Sequence, residues 1–327
     1  MDRASFPFSR ILTEWGTFPI AGLFLYDEDS RYCYFNPYCL ESSEQFFLVG
    51  ILLGLAIYNS TILDVALPPF AFKKLLAAAP PSNGPQTSAS RTNFKSRLDD
   101  LAEYRPALAK GLRSLLEYDG DVKETFCYSF VVPAERYGKV VEVPLFPGGE
   151  KRAVTNSNRR EFVDLYVHYL LDTAVARQFE PFKRGFFTVC GGNALSLFRP
   201  EEIDLLVRGS DEPLDVSTLR GVATYDNWRM RNPEAEPVVR WFWGFFAHAK
   251  PQAQRKLLSF ITGSDRIPAM GEGSLSIRVT CLGDDSNRFP TARTCFNMVG
   301  LYRYETKEKL ERMLWGAVVN SEGFGLK

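Results

Sequence analysis

Cys295 stands in Phe289-Pro290-Thr291-Ala292-Arg293-Thr294-Cys295-Phe296-Asn297, where a polar stretch, Gly283-Asp284-Asp285-Ser286-Asn287-Arg288, gives way to an apolar one. The context predicts a thiol at the mouth of a loop, beside the cation Arg293. Such a thiol is set up to ionise, and the thiolate is the nucleophile. The competing reading is inert burial, because free cysteines are among the most buried residue types. A hydrolytic cysteine also needs a base, usually histidine, and a third group to orient it. The chain holds only two histidines. His168 falls on a predicted helix far upstream and His248 closes an aromatic one, so the sequence couples neither to Cys295. Asp284 and Asp285 stand in that polar stretch, where the plain reading is solvated loop carboxylates.

Composition narrows the chemistry further. The 39 basic and 39 acidic residues cancel, which argues against a partner held by phosphate attraction, so no nucleic acid is expected. No cysteine or carboxylate stands at zinc-ligand spacing from either histidine; the sequence predicts no metal and no cofactor. Six scattered cysteines without a Cys-x-x-Cys pair, and no signal-peptide pattern at the N-terminus, predict reduced thiols in the cytosol or nucleus. The longest apolar run, Phe46 to Ile57, is 12 residues long. A bilayer needs about 20, so the run predicts a buried helix and no membrane span. Gly50 and Gly54 share one face of it and would admit a close neighbour.

The remaining elements must position the thiol. Gly22–Tyr26 and Arg31–Phe35 around Asp27-Glu28-Asp29-Ser30 predict a hairpin. Pro68-Pro69 restarts helical structure. Pro80–Arg91 predicts a long surface loop. Leu101, Leu108, Leu112, Leu115 and Leu116 predict helix up to a stop at Gly120. Thr125–Val132 and Lys139–Val143 predict strands. Asn158 with Glu161 forms a capping pattern ahead of the stripe Phe162, Leu165, Tyr166, Tyr169 and Leu170. A helix over Pro200–Arg208 ends at Gly209, and a texture change at Ser210-Asp211-Glu212-Pro213 predicts a domain boundary. Beyond it, Val238, Phe242, Phe245 and Phe246 predict a helix in which Trp241-Phe242-Trp243 is core rather than a stacking platform for bases. Leu275, Ile277, Val279 and Cys281 alternate as a strand does, and Leu310, Met313, Leu314, Ala317 and Val318 mark a last amphipathic helix.

Several strings, taken in order, resemble the HECT-type ubiquitin-protein ligases. Pro290-Thr291-Ala292-Arg293-Thr294-Cys295-Phe296-Asn297 is similar to the family's thioester-forming motif. Gly50-Ile51-Leu52-Leu53-Gly54-Leu55-Ala56-Ile57-Tyr58-Asn59 is similar to its glycine-spaced core helix, and Thr155-Asn156-Ser157-Asn158-Arg159-Arg160-Glu161-Phe162 to its asparagine-rich helix start. Phe198-Arg199-Pro200-Glu201-Glu202-Ile203, Thr262-Gly263-Ser264-Asp265-Arg266-Ile267-Pro268 and the terminal Gly323-Phe324-Gly325-Leu326 follow. The resemblance is nearest to the E6-associated-protein branch.

The resemblance implies an α+β, two-lobed fold. A larger, mostly helical N-lobe (1–211) docks a ubiquitin-conjugating enzyme, and a smaller α/β C-lobe (212–327) carries Cys295, with a hinge at Glu212-Pro213-Leu214. It implies that Cys295 takes ubiquitin as a thioester and passes it to a substrate lysine, with Arg293, Thr294 and Phe324 supporting the transfer and Asp284 or Asp285 a candidate to steer or deprotonate the attacking amine. Leu108, Leu112, Tyr118, Phe162 and Tyr166 match positions lining the conjugating-enzyme groove; periodicity alone reads them as core. The expected partners are the conjugating enzyme, ubiquitin and a protein substrate. Three departures stand out. Arg293 replaces a histidine, Tyr225-Asp226-Asn227-Trp228 replaces a tyrosine-aspartate-glycine-glycine turn, and the N-terminal helices that ordinarily open the domain are absent. The alternative reading is a truncated, non-catalytic relative that binds conjugating enzyme or ubiquitin; a cysteine hydrolase comes third.

Overall fold

The computed structural model describes residues 22–63, 65–78, 94–136, 138–191, 195 and 198–323. The low-complexity stretch Pro80–Arg91 and Phe324 lie outside them. The chain forms two compact units, one of Pro19–Tyr58 with Val65–Asp204, the other gathering Asn59–Asp64 with Leu205–Lys327. Leu63 joins the latter group by donating its N–H to the Val207 carbonyl at 2.8 Å.

The first unit opens with the predicted hairpin, β1 (Phe24–Tyr26) antiparallel to β2 (Cys33–Phe35). The apolar run becomes α1 (Ser43–Tyr58). It packs on α7 (Ala176–Val189), and glycines set the spacing. A Cβ on Gly50 would fall 2.0 Å from the Phe182 carbonyl oxygen, and one on Gly185 1.9 Å from that of Phe47. Only residues without a side chain permit backbones to approach so closely. Around this crossing Phe35, Phe46, Phe179 and Phe182 meet edge to face or tilted, with ring centroids 5.1 to 6.1 Å apart.

α2 (Pro69–Ala77) begins at the proline pair. The leucine stripe that predicts one helix is two, α3 (Leu98–Tyr104) and α4 (Pro106–Glu117). Pro106 has no N–H for the ladder and instead occupies the first turn of α4, where none is needed. The strand expected over Thr125–Val132 is also corrected. Asp121 accepts from the Glu124 N–H at 3.1 Å and caps a short helix, α5 (Val122–Phe126). Cys127 then turns left-handed at φ 52°, Ser129 makes an isolated antiparallel bridge to Ala153, and the ladder proper is β3 (Val131–Arg136) against β4 (Lys139–Pro144). α6 (Arg159–His168) follows Asn158, but the asparagine makes no side-chain cap bond. Its carboxamide closes the preceding turn instead, accepting from Thr155 N–H at 2.7 Å and donating to the Ala153 carbonyl at 3.0 Å. Glu161, freed from the capping role, takes both Arg152 nitrogens at 2.8 and 2.6 Å. A π turn (Tyr169–Thr173) links α6 to α7, and α8 (Pro200–Arg208) ends as expected at Gly209, φ 68°.

The second unit is built on a four-stranded mixed sheet of order β5-β6-β8-β7: β5 (Thr224–Asp226), β6 (Arg278–Gly283), β8 (Met298–Tyr302) and β7 (Thr291–Arg293). β5, β6 and β8 run parallel and β7 antiparallel. α9 (Val216–Gly221), α10 (Pro237–His248), α11 (Pro251–Thr262) and α12 (Lys307–Gly323) surround it. The core is aromatic and aliphatic: Phe242, Trp243 and Phe246 from α10, Leu257, Leu258 and Ile261 from α11, Val279 and Leu301 from the sheet, Leu310 and Leu314 from α12. Trp243 and Phe242 are buried as predicted, and Trp241 packs on the cluster half-buried. Leu275, Ile277, Val279 and Cys281 are all buried, but the strand begins only at Arg278; Val279, Thr280 and Cys281 are buried in succession because β6 lies inside the sheet. The altered turn is accommodated: Asn227 adopts the left-handed conformation at φ 64° that a glycine would otherwise supply, and asparagine tolerates it better than most residues. Trp228 Nε1 then donates to the Val279 carbonyl at 2.9 Å. The fold is α+β, with mixed helices and sheets.

Candidate active site

Cys295 occupies a 3-10 turn, Thr294–Phe296, between the edge strand β7 and the inner strand β8. Asn297 ends the turn in the left-handed conformation, φ 47°, and its carbonyl accepts the Arg278 N–H at 2.9 Å. The thiol, Arg293 and Thr294 are all exposed. Arg293 pairs with Met298 across the ladder, so the turn is clamped on both sides. β7 was not foreseen in the sequence, because three residues after a proline, Thr291-Ala292-Arg293, are too short a run to signal a strand. Its pairing makes Cys295 part of a hairpin end rather than of a free loop.

The acidic stretch upstream is stapled to the rest of the unit. Asp284 Oδ1 accepts from Arg303 Nη2 at 2.7 Å and pairs with Arg229 at 2.8 Å. Asp285 takes Lys309 Nζ at 2.6 Å and the Glu305 N–H at 3.1 Å. The Arg303 hydrogen bond holds the Asp284 carboxyl below its ordinary range, and that from Lys309 does the same for Asp285. Tyr304 donates its hydroxyl to the Arg288 carbonyl at 2.7 Å. The Phe289 ring lies where a Cβ on Gly316 would come within 2.8 Å of it, so the loop rests on α12.

Beside the turn is a recess of about 330 Å3, lined by Lys256, Ser259 and Phe260 of α11, Ala292, Thr294 and Ser321. Sequence reasoning missed the α11 residues, whose proximity to Thr294 arises only from tertiary packing. The histidines are engaged elsewhere. Nδ1 of His168 lies 3.2 Å from Asp172, in the first unit, and Nδ1 of His248 lies 2.7 Å from the Gly244 carbonyl. Among the described residues no cluster of three or more His, Cys, Asp or Glu is arranged to hold a metal. No described helix is long and apolar enough to cross a membrane.

A second surface gathers the five positions predicted to line a docking groove. Leu112, Phe162 and Tyr166 are buried, while Leu108 and Tyr118 are half-buried. Arg159 joins α6 to the end of α4 by donating to the Leu115 and Tyr118 carbonyls at 3.3 and 2.5 Å. Tyr118, Phe126, Tyr128 and Phe162 form a chain of rings with centroids 5.3, 5.6 and 6.3 Å apart. Tyr128 is exposed, and Phe126, like Tyr118, is half-buried, so Tyr128 and these two, rather than Phe162, present the aromatic surface. Reading Thr125–Val132 as a strand hid Phe126 and Tyr128.

Cys295 is thus an exposed thiol on a strand-flanked turn of an α+β chain, and both histidines have their partners elsewhere. The HECT-domain (ubiquitin-transferase) family model matches residues 12–327. The chain belongs to the HECT-domain family. It is 41% identical over 309 residues to a mouse protein named Probable E3 ubiquitin-protein ligase HECTD2, spanning 94% of this chain and 39% of that one. Probable E3 ubiquitin-protein ligase mug30 of Schizosaccharomyces pombe is 36% identical over 334 residues, with 39% of its length covered. Human Probable E3 ubiquitin-protein ligase HERC3 is 38% identical over 309 residues, with 28% covered. The chain therefore spans about two fifths or less of the length of these relatives.

Proposed function

We propose that this chain is a ubiquitin-protein transferase acting through a thioester on Cys295. The observation that carries the reading is the exposed thiol on a clamped turn inside a chain of the HECT-domain family. Ubiquitin reaches the site already activated as a thioester of a conjugating enzyme. The Cys295 thiolate attacks that carbonyl carbon, a new S–C bond forms, and the conjugating enzyme's thiolate leaves. A neutral substrate lysine amine then attacks the new thioester; its N–C bond forms, Cys295 departs as thiolate, and one proton passes to solvent. Neither step needs a strong base at the sulfur, and the demand is for proximity and orientation of large partners.

Thr294 and Arg293 flank the sulfur. Arg293 keeps a positive charge there and, unlike histidine, shuttles no proton near neutral pH. Phe324 supports the transfer step. Asp284 and Asp285 act by fixing the loop and by charge: carboxyls held low accept a proton from an ammonium poorly, since lysine's ordinary pKa is about 10.4. Docking of the conjugating enzyme is assigned to Leu108, Leu112, Tyr118, Phe162 and Tyr166, the buried members supporting the exposed edge. The lobes are assigned as 1–211 and 212–327 with a hinge at Glu212-Pro213-Leu214. Affinity to the E6-associated-protein branch rests on the motif strings alone, and a cytosolic or nuclear setting on the cysteine pattern. The test is transfer from ubiquitin-charged conjugating enzyme: a reducible adduct on the wild type that Cys295→Ala lacks supports the reading, and its equal appearance in both rejects it.

A further inference from the structure

The first unit carries a recess that thioester exchange does not use. It lies among the residues after β2, the β3–β4 hairpin and the π turn, with a volume of about 490 Å3. Arg136 of β3 and Arg177 of α7 both line it, and no carboxylate is among its lining residues. The Arg136 guanidinium sits over the Tyr38 ring, 4.7 Å from its centroid. The Tyr38 and Tyr169 hydroxyls are 3.4 Å apart. Of the acids next in sequence, Glu180 pairs with Lys183 at 2.6 Å, Glu41 accepts from Gln45 at 2.9 Å while its charge still reaches Cys39, and Glu135 lines the adjoining cavity. Leu40 and Val143 add apolar wall. Two exposed guanidiniums, two phenols and an apolar side make a place for an oxyanion attached to a flat apolar group. Burial, followed by the Tyr38 hydrogen bond, pushes the Tyr169 phenol up to about 12, so it remains a hydrogen-bond donor to an anion at neutral pH.

We propose that this recess binds a phosphotyrosyl side chain presented by a partner peptide. A phosphoryl dianion matches two guanidiniums, each of which can engage its oxygens in paired, charge-assisted bonds. A carboxylate brings a single charge. A phosphoserine holds its phosphoryl close to its own backbone and leaves Leu40 and Val143 uncovered. An aryl phosphate places its ring against that wall and its oxygens at the arginines. The site is independent of Cys295 and of the transfer reading, because its readout is binding alone.

The experiment titrates the full chain with phenyl phosphate, inorganic phosphate, O-phosphoserine and a tyrosine peptide with and without its phosphoryl group, by calorimetry. Phenyl phosphate and the phosphopeptide are expected to bind about tenfold or more tighter than the other probes. Arg136→Gln and Arg177→Gln should each weaken them about tenfold, near 1.4 kcal/mol, without moving the melting temperature. Leu40→Glu, at an exposed position, should abolish binding by repulsion in a folded chain. Inorganic phosphate binding as tightly as phenyl phosphate overturns the aryl assignment. Absence of saturable phenyl phosphate binding, or binding indifferent to both arginine substitutions, overturns the site itself.

Discussion

Asn227 shows how a residue other than glycine can carry a left-handed turn. Its φ of 64° is left-handed, and a side chain without asparagine's local hydrogen bonding costs about 1–2 kcal/mol there. Asn227→Ala is expected to lower stability by about 1 kcal/mol while Asn227→Gly leaves it nearly unchanged, as denaturant unfolding would measure. Asp215 sets a pH dependence at the start of α9. Hydrogen bonds from Ser217 first, then Thr218, pull its carboxyl down to about 2, from an ordinary 3.8. A depressed acid contributes stability above its unfolded pKa and loses it as pH falls through the folded one. The melting temperature of the wild type should therefore exceed that of Asp215→Asn near neutrality. The gap should narrow below about pH 4 and close near pH 2. A gap constant across that range would show that the carboxylate charge contributes nothing. Asp284→Ala should release the loop bearing Phe289, read as faster proteolytic nicking there, and leave the pH profile of lysine transfer unshifted. A shifted profile with an intact loop would instead give Asp284 a proton-transfer role.

At the scale of elements, the α1–α7 crossing is the most constrained contact. Adding a Cβ at Gly50 or Gly185 places it about 2 Å from a backbone oxygen, which no rotamer change relieves. Either substitution by alanine is expected to cost about 3 kcal/mol, at the upper end of ordinary overpacking, or to prevent folding. Gly111→Ala on α4, where a Cβ meets nothing within 4 Å, should stabilise by about 0.5–1 kcal/mol. Equal effects at the two kinds of site would refute the close crossing. The glycine pair in α1 was legible because two glycines on one face of an apolar run have few other uses. Gly185 was not legible, since its partner is set by packing. Hydrophobic stripes gave α6, α10 and α12 their places, and the end signals Pro200, Glu201, Glu202, Arg208 and Gly209 gave α8 its own. Periodicity could not see that Pro106 splits the leucine stripe in two, or that an aspartate cap and a left-handed Cys127 turn an apolar, aromatic stretch away from strand. It also missed β7, a short edge strand whose only signal is its partner β8.

Across the whole molecule, the sequence motifs located the thiol and the structure supplied its surroundings. The resemblance pointed to Cys295 and its flanking Arg293 and Thr294. Stapling of Asp284 and Asp285 and the α11 recess depend on residues far apart in the chain, and the clamp by β7 and β8 on a local pairing too short to signal itself. The positions proposed for docking show the same limit: Phe162 and Tyr166 are buried, and the outer aromatics are Tyr118, Phe126 and Tyr128. Tyr128→Ala is accordingly expected to weaken conjugating-enzyme docking without unfolding the chain, because interface hot spots favour exposed aromatics held on a buried base. Pull-down with an uncharged conjugating enzyme would read this, and undiminished binding would move the docking face elsewhere. The central claim is the thioester. Its most direct measurement mixes the chain with ubiquitin-charged conjugating enzyme and resolves the products on a non-reducing gel, beside Cys295→Ala. The account predicts a ubiquitin adduct on the wild type that vanishes on reduction and never forms on the variant. A folded wild-type chain that takes no ubiquitin from a panel of conjugating enzymes would contradict it.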